Sequence, residues 1–317
     1  MSLISLVVPC HNEADNIPVF LDRTRAVLEK LAEFNYEIIF VNDGSRDATL
    51  DILMRAAGED RRLRVIDLSR NFGKESALTA GIDNARGEAV IPIDADLQHP
   101  PEVIPQLIAR WQSGYDVVLA ERISRLADHS IQRLFSRAFY RIHNSLSECE
   151  IPENVGDFRL MDRRVVDALR LLPERRRFMK GIFAWVGFRT TRVKFDVLQR
   201  HAGRSSFQGW QLWNLALEGI TSFSTVPLRV WTYIGGAISL ATLVYAFWMV
   251  VRTLLFGIDV PGYASLFSTV LFLGGIQLVG IGVLGEYTGR IYMEVKQRPT
   301  YIVRELYGFP GEESKHR

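Results

Sequence analysis

Two stretches near the carboxyl end limit what this chain can fold into more than any other feature. Residues 230–251 hold 22 positions without a charge, between Arg229 and Arg252, and residues 266–285 hold 20 more before Glu286 and Arg290. As helices rising 1.5 Å per residue, each is long enough to cross a hydrocarbon layer of about 30 Å. A pair of buried core helices is the alternative, but uncharged runs of this length are uncommon in soluble proteins. Two membrane-spanning helices are therefore expected. Gly235, Gly236, Gly274, Gly275, Gly280 and Gly282 would let them approach closely. The connection 252–263 carries one Arg and one Asp, whereas the flank after the second run carries Arg290, Lys296, Arg298 and Arg304. Basic flanks stay on the cytoplasmic side. A multi-pass protein of the inner (cytoplasmic) membrane is expected, with both termini cytoplasmic. The chain then divides into a cytoplasmic domain over 1–228, a two-helix membrane domain over 229–290 and a cytoplasmic tail over 291–317.

Composition excludes several classes. A net charge of +2 over 317 residues is too small for an obvious nucleic-acid binder or a disordered charged tail. Cys10 and Cys149 cannot make a disulfide framework, and they fit a reducing compartment without any zinc-type spacing. Residues 2–9 lack a basic amino-terminal region and a cleavage site, so a first buried strand is expected there rather than a signal peptide. Of 38 basic residues 32 are arginine, either a genomic base-composition bias or a fit to phosphate, which planar guanidinium groups bind in bidentate fashion.

Upstream of the uncharged runs, short β-rich segments alternate with helical ones. Strand-like runs cover 3–9, 36–42, 63–68, 89–94 and 116–120; helix-like stretches cover 14–31, 48–57, 74–85 and 102–112. The alternation predicts a doubly wound α/β sheet, largely parallel. Ligands of such sheets bind beyond the carboxyl ends of the strands. Two further helical patterns follow. Residues 129–145 repeat apolar positions at helical spacing beside Arg133, Arg137 and Arg141, which suits either a surface helix on the core or a helix lying on anionic lipid. Residues 207–226, with Trp210 and Trp213 just before the first uncharged run, predict an interfacial helix.

The strand ends carry the chemistry. Asp94-Ala95-Asp96 is the only Asp-x-Asp in the chain and closes the fourth strand-like run. Two neighbouring carboxylates repel unless a cation or proton lies between them, and a hard divalent ion carrying diphosphate oxygens meets that need. Gln98 could add an amide oxygen. The first strand ends in Pro9-Cys10-His11-Asn12-Glu13, the second in Val41-Asn42-Asp43-Gly44-Ser45, and Arg70-Asn71-Phe72-Gly73-Lys74 follows the third. Carboxylates there can accept from a base N–H or a ribose hydroxyl. Gly73 permits a tight backbone approach, and Lys74 could steady a phosphate. Ordinary turn and capping roles are the alternative at each position, and Asp47 fits a helix start. The absence of Gly-x-Gly-x-x-Gly and Walker patterns argues against dinucleotide redox and P-loop chemistry.

Taken together, these strand-end motifs resemble glycosyltransferase family 2, with its GT-A (Rossmann-like) fold. Gly156-Asp157-Phe158-Arg159-Leu160-Met161-Asp162 and the two uncharged runs narrow the resemblance to the polyprenyl-phosphate glycosyltransferases. These are the bactoprenol glucosyl transferases, their aminoarabinose relatives and, more distantly, dolichyl-phosphate mannose synthase. The resemblance implies inverting, metal-dependent transfer of a sugar from a nucleotide-sugar to polyprenyl (undecaprenyl) phosphate at a bilayer. UDP-glucose is the first expected donor, with a UDP-aminoarabinose-type donor or GDP-mannose as the alternative. By position, Asp94, Asp96 and Gln98 would face Mg2+ or Mn2+ and the diphosphate. Pro9, Glu13, Asp43, Gly73, Lys74 and Asp94 would line the nucleotide-sugar pocket. Asp96 and Asp157 would be catalytic, Asp157 as base or positioner. Arg122, Arg200, Ser205 and Lys180 would meet the acceptor phosphate. A homo-oligomer, commonly a tetramer, is implied as well. Two positions depart from the family pattern: His11 stands where an aromatic is usual, and Ser206 where a lysine is. A processive polysaccharide synthase would carry Gln-x-x-Arg-Trp and more spans. A non-catalytic membrane scaffold or flippase partner would not need the carboxylates.

Overall fold

Continuous Val, Ile and Leu runs form strands that are buried on both faces, the signature of a parallel sheet covered by helices. In the computed structural model, residues 1–123, 155–172, 174, 179–196, 226–256 and 262–309 are described. The first half alternates β1 (Ser2–Cys10), α1 (Ile17–Leu28), β2 (Phe34–Asn42), α2 (Thr49–Glu59), β3 (Leu63–Leu68), α3 (Lys74–Asn84), β4 (Ala89–Pro92), α4 (Ile104–Gln112) and β5 (Val117–Arg122). There follow β6 (Val155–Asp162), α5 (Arg163–Arg170), α6 (Met179–Trp185), β7 (Thr190–Phe195), α7 (Val226–Phe256), α8 (Tyr263–Val295) and β8 (Val303–Tyr307).

The eight strands form one sheet in the order β7-β5-β6-β4-β1-β2-β3-β8. β1 pairs in parallel with both β2 and β4, and β2 with β3. The chain therefore reverses direction across the sheet between β1 and β4, and their carboxyl ends flank the crevice where such folds bind ligands. Alternate residues of each strand enter two cores. Ile4, Leu6, Ile38 and Phe40 pack with α1 and α4, whereas Val7, Ile39 and Val41 pack with α3, α5 and α6.

Two strands differ from a parallel sheet. β6 runs antiparallel between β4 and β5, and it carries the Gly156-Asp157 motif. β8 runs antiparallel to β3 at the opposite edge. The tail expected over 291–317 is thus partly structural: after α8 the chain returns to the sheet. Arg304 of β8 holds the buried Asp67 at 3.3 Å, and Asn42 donates to the same carboxylate at 2.8 Å.

The uncharged runs fold as helices of 31 and 33 residues, α7 and α8. Among the described residues one segment, Val230–Phe256, is long and apolar enough to cross a membrane, with a mean hydropathy of 1.9 and none of its most apolar window buried. Of the small residues expected between the helices, Gly280 makes the contact: a Cβ there would overlap the Trp231 indole, whereas Gly235, Gly236, Gly274, Gly275 and Gly282 have no neighbour within 4 Å. The helix expected at 129–145, residues 207–225 of the helix expected at 207–226, and Cys149 lie outside the described residues, and Val226 is the first residue of α7.

Candidate active site

Three separate elements bring charge to one point at the carboxyl edge of β4. Gly73, with φ of 94° in the region that favours glycine, turns the chain into α3 and makes Lys74 its first residue. Asp94 lies just past β4, and Asp157 sits near the start of β6. Lys74 Nζ is 2.6 Å from Asp94 Oδ1 and 2.9 Å from Asp157 Oδ2. The carboxylates are recessed while the lysine side chain stays 46% exposed, so solvent screens the pair in part. Burial alone would raise both carboxyls; the Lys74 ammonium overrides it and holds both below the usual range, with His99 adding to the effect on Asp94. Burial acts the other way on Lys74, but the two carboxylates push its pKa up.

The turn after β4 alternates sides. Ala95, Leu97 and His99 are buried, while Asp94, Asp96 and Gln98 are half-buried. Leu97 adopts a φ of 60°, and Gln98 N–H donates to Asp96 Oδ1 at 3.1 Å. Among the described residues no group of three or more His, Cys, Asp or Glu is arranged to hold a metal. Asp94, expected at the metal, has Oδ1 on Lys74 and Oδ2 3.4 Å from His99 Nδ1. Asp96 and Gln98 remain as hard oxygen donors on one turn. That set suits an ion whose other ligands come from a diphosphate, because Mg2+ is commonly held by one or two carboxylates plus substrate phosphates.

On the far side of the β1–β4 crevice, Asp43 is 3% exposed. Its two oxygens accept from Phe72 N–H at 2.7 Å and Gly73 N–H at 2.9 Å. Asp43 thereby positions the loop that launches Lys74. Gly44, with φ of 61°, lies against this loop so closely that a Cβ would overlap the Asn71 backbone nitrogen. His11 Nδ1 is 2.8 Å from the Asp43 carbonyl oxygen and 3.1 Å from Asn71 Nδ2. It ties the first, second and third strand ends together. Glu13 accepts from Asn16 Nδ2 at 2.6 Å, and its N–H donates to Thr49 Oγ1 at 2.9 Å. Pro9 is buried at the end of β1.

Arg122 ends β5, and its Nη2 lies 2.9 Å from His99 Nε2. His99 had no sequence-level role assigned, yet it is 2% exposed and its Nδ1 faces Asp94 Oδ2 at 3.4 Å. Arg159 is a second unforeseen participant. Its guanidinium, 4% exposed, donates to the Gly156 carbonyl at 2.7 Å and stacks 4.0 Å over Phe183. Burial pulls its pKa down to about 10 against the opposing charges of Asp157 and Glu75. It fixes the backbone that presents Asp157. The local signal for His99 was available: the alternation through the turn aims position 99 inward, where a polar ring needs partners. Of the remaining acceptor-side candidates, Lys180 lies in α6, while Arg200 and Ser205 lie outside the described residues.

Comparison with known proteins gives this arrangement a family. The glycosyl transferase family 2 model matches residues 5–170, and a model of the GtrB C-terminal hairpin matches residues 226–291. The SfII prophage-derived bactoprenol glucosyl transferase of Shigella flexneri is 56% identical over 304 residues, covering 96% of this chain and 98% of its own. A prophage bactoprenol glucosyl transferase homolog of Escherichia coli K12 is 53% identical over 303 residues, covering 96% of this chain and 99% of its own. Among solved structures, glucosyl-3-phosphoglycerate synthase of Mycobacterium tuberculosis, in complex with Mn2+, UDP and phosphoglyceric acid, superposes with a TM-score of 0.51 at 22% identity. The superposition covers 69% of this chain and 76% of that one, and it shows a shared GT-A fold. Matched by the family model over its sheet domain and by such relatives along nearly its whole length, the chain is a glycosyltransferase and belongs to glycosyltransferase family 2.

Proposed function

We propose that this chain transfers glucose from UDP-glucose to undecaprenyl phosphate, with inversion at the anomeric carbon, at the surface of the inner membrane. The observation that carries this reading is the 56% identity to a bactoprenol glucosyl transferase across 304 residues, hairpin included. The acceptor is already an anion at neutral pH, so the reaction needs no strong base to ionise it. What it needs is positive charge on both substrates and an ordered pocket. Asp96 and Gln98 would hold Mg2+ or Mn2+ with the donor diphosphate. When bound, the ion supplies charge that stabilises the departing nucleoside diphosphate. Lys74, steadied by Asp94 and Asp157, faces the same crevice and offers a further cation to the donor phosphates. Asp157 keeps Oδ1 buried and without a hydrogen-bond partner, an acceptor for a sugar hydroxyl or for a protonated acceptor phosphate. Pro9, Glu13 and the loop held by Asp43 would frame the nucleoside. Arg122, with Arg200, Ser205 and Lys180, would receive the lipid phosphate.

The topology in this proposal is two spans, with the 1–228 domain and the carboxyl end on the cytoplasmic side. The pairing of β8 with β3 supports it. A chain that leaves the sheet domain before α7 and rejoins the same sheet after α8 crosses a bilayer an even number of times. If α7 crosses, α8 crosses back.

The test is donor selection. Purified protein receives undecaprenyl phosphate, a divalent cation and equal amounts of UDP-glucose, a UDP-aminopentose and GDP-mannose, each separately labelled. Glucose on the extracted lipid, β-linked by NMR, is expected. Another sugar would replace the donor, and no transfer by folded protein would favour the scaffold alternative.

A further inference from the structure

His99 stands between the donor-side carboxylate Asp94 and the acceptor-side arginine Arg122. Its ring centroid lies 5.3 Å from that of Phe158 and 5.8 Å from that of Phe195, so aromatic walls fix its plane. A guanidinium can only donate. Nε2, 2.9 Å from Arg122 Nη2, is therefore an acceptor, and the ring proton sits on Nδ1. Nδ1 lies 3.4 Å from Asp94 Oδ2, longer than a well-formed hydrogen bond. His99 Nδ1, Arg122 Nε and Asp157 Oδ1 are all buried without a hydrogen-bond partner. The three belong to one line of contacts, Asp157–Lys74–Asp94–His99–Arg122. Buried polar atoms are costly unless paired, and a line with unpaired atoms at both ends and in the middle is one that bound ligands complete.

We propose that His99 is a positioning residue that couples the two substrate sites. Resting on the function proposed above, the coupling works as follows. A lipid phosphate oxygen takes the unpaired Arg122 Nε, while Nη2 stays on His99. Arg122 so held fixes the Nδ1–H tautomer; this N–H, 3.4 Å from Asp94 Oδ2 and unpaired without ligands, then closes on that oxygen and holds Asp94 and, through it, Lys74 in the place that receives the donor diphosphate. Gly156 of β6 lies against this junction: a Cβ there would be in ordinary van der Waals contact, 3.6 Å from both Arg122 Nη2 and His99 Nε2. Acceptor and donor then bind cooperatively. By linkage the effect is reciprocal, and it is typically about 5- to 150-fold.

UDP serves as the probe, because it occupies the donor site without transferring a sugar. Its dissociation constant is measured on the full-length protein in detergent, with and without undecaprenyl phosphate. Wild-type protein is expected to bind UDP at least about fivefold more tightly when the lipid phosphate is present. His99→Asn keeps a donor at the Nδ1 position and loses the link to Arg122. It retains UDP affinity and weakens undecaprenyl phosphate binding. His99→Gln keeps an acceptor at the Nε2 position and loses the link to Asp94, with the opposite split. In both, the cooperativity falls to about unity, whereas a merely structural histidine would weaken both ligands alike in both variants. Wild-type protein that binds both ligands without cooperativity, or variants that keep it, overturns the coupling alone. Wild-type protein that binds neither ligand overturns the functional reading, and the coupling with it.

Discussion

Lys74 Nζ lies 2.9 Å from Asp157 Oδ2, joining the first turn of α3 to the antiparallel strand β6. The same nitrogen reaches Asp94 at 2.6 Å. Replacing it with an apolar residue of similar length leaves two recessed carboxylates facing each other without a cation. Lys74→Met is expected to lower kcat by about 100-fold, in the range of losing one preorganised charged donor. Steady-state kinetics with saturating donor measures this. A variant with unimpaired kcat would remove Lys74 from the site.

The pH dependence of stability follows from the same cluster. Asp94 and Asp157 are held below the ordinary carboxylate range, and Lys74 above its own. Depressed carboxylates contribute stability that is present above about pH 4 and is lost as the pH falls through their folded values. The raised lysine contributes below about pH 10 and is lost above its folded value. The cluster's contribution is thus flat from about pH 5 to 9. Without Lys74, burial raises the two carboxyls instead, so their protonation favours the folded state and the variant is destabilised most at neutral pH; the acid limb of a melting-temperature profile is expected to flatten in Lys74→Met. An unchanged limb would mean that Lys74 does not set these carboxyls.

Much of this arrangement was legible in the sequence, and the gaps have physical causes. The run at 63–68 coincides with β3: Leu63, Val65, Ile66 and Leu68 are buried apolar positions on both faces of the sheet, and Arg64 and Asp67 between them do not hide the pattern. β6 did not show, since Asp157 and Arg159 interrupt its apolar pattern for the sake of the site. β8, Val-Arg-Glu-Leu-Tyr, is a short edge strand with charges, and such strands look like tails. The motif residues at the strand ends were found because the fold gathers strand ends. Their pairing was not. That Lys74 would meet Asp157, 83 positions away, depends on β6 inserting between β4 and β5, which no local pattern encodes.

The edge strand gives a prediction of its own. Arg304 holds Asp67, a carboxylate that is 1% exposed. Arg304→Ala leaves Asn42 as the remaining hydrogen-bond donor to it among the described contacts. A destabilisation of about 1–3 kcal/mol is expected, the cost of a buried charged acceptor losing a partner. It should appear as lower thermal stability together with faster proteolysis between α8 and β8. Undiminished protection of that segment would argue against β8 anchoring the chain to the sheet.

Within the hairpin, position 280 separates packing from exposure. Gly280→Leu would drive a side chain into Trp231, whereas Gly235 has open space around it. Gly280→Leu is expected to lower the melting temperature in detergent by several degrees, an effect of about 1–3 kcal/mol from overpacking. Gly235→Leu is expected to change stability by less than about 0.5 kcal/mol. Equal effects would contradict the helix contact at Trp231.

Metal binding is separable from folding. Asp96→Asn removes the ionised oxygen of the turn while keeping its shape, and it is expected to lower transfer by at least about 1000-fold. Mn2+ binding in the presence of UDP, followed by electron paramagnetic resonance, is expected to weaken in parallel. Wild-type-like Mn2+ affinity in Asp96→Asn would move the metal to other ligands.

The most direct test of the account is a single transfer assay. Purified full-length protein is incubated with undecaprenyl phosphate, labelled UDP-glucose and Mg2+ or Mn2+, with and without EDTA, and the lipid is extracted. The account predicts label in the organic phase that disappears with EDTA. Folded protein that binds UDP yet leaves all label in the aqueous phase, or transfer that EDTA does not touch, would contradict it.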